Sequence, residues 1–110
     1  LKLIDRFDIH GQATAADAAA DGKRLVIATY DALWLFEIDD PRFPLRGAVS
    51  WLPFTGPEQV EAACFADDAT VLLADEASAQ LFEAPLEKFV LVRASATSQP
   101  VVDASLRPAK

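Results

Sequence analysis

The sequence predicts an all-β protein made of two four-stranded antiparallel sheets. Three observations carry that expectation: a unit of about 46 residues that occurs twice, an acidic turn signal at the same place in each unit, and strands that are apolar on both faces. Residues 15 to 37, AADAAADGKRLVIATYDALWLFE, align without a gap with residues 61 to 83, EAACFADDATVLLADEASAQLFE. Ala16, Ala20, Asp21, Ala28, Leu35, Phe36 and Glu37 recur as Ala62, Ala66, Asp67, Ala74, Leu81, Phe82 and Glu83.

Taken in chain order, LKLIDRFDI (1 to 9) reads as an outer strand that precedes the first unit. The first unit spans 10 to 54, the second 55 to 96, and 97 to 110 is a tail or the start of a further strand. Each unit opens on an inner strand, 14 to 20 and 60 to 66. Alanine favours helix, so a short helix over TAADAAAD capped by Gly22 competes with the strand. Eight residues are marginal for a helix, however, and the matching segment VEAACFAD carries Val60 and Phe65, which suit a strand. Asp21-Gly22 and Asp67-Asp68 then close hairpins, because Gly accepts positive φ and Asp visits that region more readily than most residues.

The second and third strands, RLVIATY with LWLFEI and TVLLADE with QLFEA, are apolar on both sides, so each is expected to lie between covering layers. Leu25, Ile27, Leu33 and Leu35 are grouped as one apolar face, and Val71, Leu73, Leu81 and Phe82 as another. LRGAVSWLPF (45 to 54) and FVLVRASA (89 to 96) supply the fourth strand of each unit. Asp39-Asp40 with Pro41 and Pro44 marks a solvated loop before the first of these.

Composition excludes several roles. A net charge of -7 leaves no Lys and Arg cluster for a phosphate backbone, so nucleic acid is not an expected partner. No apolar run approaches the roughly 18 residues of a membrane-spanning helix. Cys64 is the single cysteine and forms no internal disulfide. The chain starts at Leu1 without a signal-like leader and reads as an internal or processed piece of something longer.

Four antiparallel strands per unit, with a small-residue inner strand where sheets converge on an axis, describe the blade of a β-propeller. ADAAADGKRLVIATYDALWLFE is similar to the D-x-S-P-D-G-K-x-L blade pattern of bacterial propellers, including WD-repeat-like and Tol-type blades. GPEQVEAACFADDATVLLADE resembles the blades of secreted propellers of the esterase-like phytase group. The resemblance covers about residues 10 to 86. It implies a two-blade portion of a bacterial propeller, with a periplasmic or extracellular location. About four to eight blades close a ring, so two blades call for completion by further blades or by copies of the chain through their open faces.

Candidate chemistry is sparse. Glu61 at the start of one inner strand and Asp17 within the other are the carboxylates that approach a central channel, and as hard oxygens they suit Ca²⁺. Gln12 and Gln59, just before the inner strands, add amide oxygens. Glu76 and its repeat equivalent Tyr30 follow the second strands and are further ligand-contact candidates, although solvated turn positions, Asp75 included, need no such role. His10 and Cys64 do not read as a nucleophilic dyad, because Cys64 sits on a strand among small apolar residues, where a thiol is an inert core group. No zinc spacing, phosphate loop or G-x-S-x-G elbow occurs. The expected function is a binding or scaffold module for a protein or small ligand. The alternative is a Ca-dependent hydrolase of the phosphoesterase or lactonase kind.

Overall fold

The structure is a computed structural model and describes residues 1 to 95. The proposed tail at 97 to 110, and residue 96 of the last strand, lie outside the described residues. The described residues form strands β1 (Ala15–Ala18), β2 (Arg24–Ala28), β3 (Ala32–Glu37), β4 (Val49–Pro53), β5 (Val60–Phe65), β6 (Thr70–Asp75), β7 (Gln80–Pro85) and β8 (Val90–Arg93), with one 3-10 turn over Leu86–Lys88. The fold is all-β and every pairing is antiparallel. Among the described residues no helix is long and apolar enough to cross a membrane.

The sheets hold five and three strands, in the orders β1-β2-β3-β4-β8 and β5-β6-β7. This corrects the expectation of two four-stranded sheets. β8 turns away from β7 and pairs with β4, so the two segments expected as fourth strands lie side by side. Pro85 and the 3-10 turn redirect the chain after β7. Buried Arg93 then anchors the end of β8 by donating from Nη2 to the carbonyls of Leu45 (2.6 Å) and Gly47 (2.8 Å).

Both units start with the same hairpin chemistry. Asp21 Oδ1 accepts from the amide of Lys23 at 2.9 Å, and Asp67 Oδ1 accepts from the amide of Ala69 at 2.8 Å. These are equivalent positions of the repeat, and the side-chain bond closes each turn by replacing a backbone one. The turns differ one residue later. Gly22 has a φ of 73°, whereas Asp68 stays out of the left-handed region.

Register assigns the faces. Val26 lies opposite Leu35 and Ala28 opposite Leu33, while Leu25 lies opposite Phe36 and Ile27 opposite Trp34. Directly opposed residues share a face, so the grouping of Leu25 and Ile27 with Leu33 and Leu35 is corrected. Four residues separate the paired Ala28 and Leu33, and an even number places odd positions of one strand opposite even positions of the next. In the smaller sheet Leu73 lies opposite Phe82 and Val71 opposite Ala84, while Ala74 faces Leu81, which removes Leu81 from the group with Val71 and Leu73.

The sheets stack through one face each. Val26, Ala28 and Leu33 of the larger sheet and Val60, Val71, Leu73 and Ala84 of the smaller form a continuous buried cluster, with Phe54, Phe65 and Phe82 packed at its margin. The inner strands meet: Asp17 Oδ2 accepts from the amide of Phe65 at 2.9 Å, and Arg24 Nη1 donates to the Asp68 carbonyl at 2.9 Å. The alanine segment is therefore a strand, and its small side chains allow β1 and β5 to approach.

The opposite face of the larger sheet carries a second cluster of Ala32, Trp34, Phe36 and Val49. Residues 1 to 9 form no strand, contrary to expectation. Instead they cover this face. Phe7 meets Trp34 and Phe36 edge-on, with ring centroids 5.7 and 5.0 Å away, and Ile9 packs beside it. Asp5 Oδ2 fixes the segment by accepting from the Leu45 amide at 2.9 Å. Gly47 belongs to the same corner, where a Cβ would overlap the Glu37 carbonyl oxygen.

Candidate functional site

The rim where β2 ends and β5 begins gathers three of the candidate residues. Tyr30 lies in the turn between β2 and β3 and donates from Oη to Glu61 Oε2 at 3.0 Å, linking the two sheets. A β-bulge between Val60 and Ala62 sets Glu61 out of the regular register, and its side chain is free to reach across. The bond to Glu61 and the negative charge behind it push the Tyr30 phenol above its ordinary value, and the charge of Glu76 adds to the effect. Tyr30, Glu61 and Glu76 are all solvent-exposed.

Gln59 lies at the same end. Its amide donates to Asp75 and its carbonyl accepts from the Glu76 amide at 2.9 Å, so its backbone has a turn-closing role. Gln12 is exposed in the loop that leads to β1, next to Gly11, which borders Thr29.

Asp17 is separated from this group. Its carboxylate is taken up by the Phe65 amide at the far end of β5. Four strand steps part Phe65 from Glu61, about 13 Å at a rise of ~3.3 Å per residue. Asp17 and Glu61, the carboxylates expected to suit Ca²⁺, therefore make their bonds at opposite ends of β5. Among the described residues no group of three or more His, Cys, Asp or Glu is arranged to hold a metal.

The polar centre of the rim is Asp75, which by sequence is a solvated turn position. Asp75 is 3 % exposed. It accepts from the amides of Gln59 (2.9 Å), Glu58 (3.3 Å) and Ala77 (3.2 Å) and from Ser78 Oγ (2.7 Å). These bonds, led by those from Gln59 and Ser78, hold its carboxyl below the usual range. Its repeat equivalent, Thr29, is also buried and organises its own turn by donating from Oγ1 to Asp31 Oδ1 at 3.0 Å. Two buried polar side chains at one repeat position are a signal that the alignment could have supplied.

Cys64 is exposed, not part of a core as expected, because its strand position faces away from the larger sheet. The His10 ring lies 3.7 Å from Asp8, and its amide donates to Asp8 Oδ1 at 2.9 Å. The loop after β3 is more ordered than a solvated connection requires. Arg42 grips Asp40 with two donors, at 3.1 and 3.0 Å, and the Arg46 guanidinium stacks on Phe43 at 3.9 Å. The pair with Arg42 lowers the Asp40 carboxyl.

The arrangement offers an acidic, aromatic rim. Compared with protein-family models, with curated proteins and with solved structures, the chain finds no match.

Proposed function

We propose that the chain is two neighbouring blades of a β-propeller and serves as a binding scaffold that presents its rim to a partner. The supporting observation is the stacking of two antiparallel sheets of one repeat with their small-residue inner strands in contact. Propellers place their sheets in this way. The rim that would meet the partner carries Tyr30, Glu61 and Glu76, flanked by Gln12 and Gln59, and its chemistry suits a cationic side chain: two carboxylates and a phenol whose proton is held by one of them.

The test is a titration of the chain with a short lysine- and arginine-containing peptide, followed by amide chemical shifts. The expected result is a set of shifts centred on residues 30, 59, 61 and 76 that Glu61→Gln weakens. Shifts confined to other regions, or none, would overturn the rim as the binding surface. Calcium supplies the second arm. Millimolar Ca²⁺ is expected to leave the melting temperature unchanged, and a rise abolished by Glu61→Gln would replace this reading with a calcium-dependent hydrolase.

A further inference from the structure

Residues 1 to 9 lie across the second apolar cluster without joining the sheet beneath them. Their amides and carbonyls make no backbone-to-backbone hydrogen bond among the described residues. Side chains hold the segment instead. Asp5 takes the Leu45 amide at 2.9 Å, Phe7 meets Trp34 and Phe36 edge-on with the Arg93 guanidinium 5.3 Å from its ring centroid, and Ile9 packs alongside. The hydrogen bonds from the Arg6 amide to Asp5 and from the His10 amide to Asp8 are local and tie nothing to the sheet. Asp5, Phe7 and Ile9 are half-buried, while Arg6 and Asp8 between them, and Leu1, Leu3 and Ile4 before them, are exposed. A segment with few buried contacts and no ladder bonds belongs to the least stable part of a fold.

The chain is fixed again at Thr14, whose amide and Oγ1 both donate to the Ala28 carbonyl, at 2.8 and 3.3 Å. Between the two attachments His10 has a φ of 54° and is followed by Gly11. Left-handed backbone is strained at a residue with a side chain and free at glycine, so this pair is a natural pivot. Under the segment, Trp34 is 7 % exposed and its Nε1 has no acceptor among the described residues. Burying a donor without an acceptor is costly, and uncovering it relieves that cost. The sheet does not depend on the cover for its own bonds, because β3 is paired to β2 on one side and to β4 on the other.

We infer that residues 1 to 9 form a strap that lifts as a unit about His10 and Gly11, uncovering Trp34 and Phe36 while both sheets stay folded. The larger sheet then has a closed state, in which its second apolar face is guarded, and an open one, in which Ala32, Trp34 and Phe36 reach solvent together with Leu25 and Ile27. The motion is independent of what the rim binds.

The Trp34 indole N–H reports the motion, since the cover and not a hydrogen bond shields it from water. Its exchange with deuterated solvent is followed by NMR beside that of the β3 amides, in the parent chain and in two variants. In the parent the indole should be at least about tenfold less protected than the β3 amides, as local opening requires. Asp5→Ala removes the bond to Leu45 and should speed indole exchange about tenfold. Phe82→Ala weakens the packing between the sheets, on the opposite face. It should speed the β3 amides about tenfold and leave the indole rate unchanged, because lifting the strap does not break that packing. Equal protection of the indole and the β3 amides, or acceleration of both by Phe82→Ala, would overturn the inference by showing that the strap leaves only when the whole fold opens. Indole exchange unmoved by Asp5→Ala would overturn it as well, since solvent would then reach Trp34 with the strap in place.

Discussion

The two sheets are built from segments whose sequences align and differ in how they are covered. The larger has a layer on each side and its central strand β3 is buried from Ala32 to Phe36, whereas β7 of the smaller sheet buries only Ala84. Equivalent residues therefore do different energetic work. Leu35 and Leu81 align in the repeat, yet the first is 6 % and the second 74 % exposed. Sequence similarity between repeats reports which face a residue points to, and its neighbours decide what that residue contributes to stability.

Charging those two leucines gives the largest contrast. Leu35→Glu would bury an unpaired carboxylate and is expected to cost about 3–5 kcal/mol, while Leu81→Glu should stay within about 0.5 kcal/mol. Urea denaturation measures both. Comparable losses would mean that the outer face of the smaller sheet is covered in solution.

Truncating the aligned aromatics tests the same difference within the core. Phe36→Ala removes a fully buried ring and should cost about 3–5 kcal/mol. Phe82→Ala, at a half-buried position, should cost about 1–2 kcal/mol. Equal costs would remove the distinction between a sheet covered on both sides and one covered on one.

The buried polar pair Thr29 and Asp75 sets a neutral side chain against an ionisable one. Asp75 titrates below its ordinary value because the folded state bonds its charged form. Its contribution is therefore complete above the unfolded pKa of about 3.9 and fades as pH falls through the lower folded value. The denaturation midpoint should drop more steeply below pH ~4 in the parent than in Asp75→Asn. A parallel pair of profiles would show that the four donors do not discriminate charge.

The smallest contrast concerns the hairpin turns. Gly22→Asp forces a side chain into positive φ and should cost about 1 kcal/mol, whereas Asp68→Gly, where the backbone is ordinary, should cost only the extra freedom of the unfolded chain, about 0.5–1 kcal/mol. Replacing Gly22 without loss would indicate that the first turn relaxes to the geometry of the second.

What was legible in the sequence was local or repeated. Asp21 and Asp67 close their turns with atoms two residues away, so the turn chemistry is contained in a short stretch. The inner strands, the second and third strands and the all-β class follow from patterns of similar range. The partner of β8 does not. A strand such as Val90–Arg93 carries no mark of which edge it will join, and the choice rests on Arg93 meeting the carbonyls of Leu45 and Gly47. Asp75 was hidden for the same reason, since two of its donors, the amides of Glu58 and Gln59, arrive from the preceding loop. At the rim, Tyr30, Glu61 and Glu76 were recognisable as residues, but their meeting depends on how two sheets stack. The separation of Asp17 from Glu61 depends on which end of β5 each one touches.

The return of β8 to β4 has a kinetic consequence. The hairpins β1-β2, β2-β3, β5-β6 and β6-β7 each close over short loops, whereas joining Val49 to Arg93 encloses the whole second unit. Loop closure of that length must precede any gain from the contact, and such non-local pairings form slowly. The last described strand should therefore be among the latest to form and should act as a clasp. Once seated, it fastens the end of one unit to the edge of the other, and the smaller sheet cannot come away while the larger remains intact without first releasing Arg93. Weakening that anchor with Arg93→Lys should speed unfolding while leaving the refolding rate nearly unchanged.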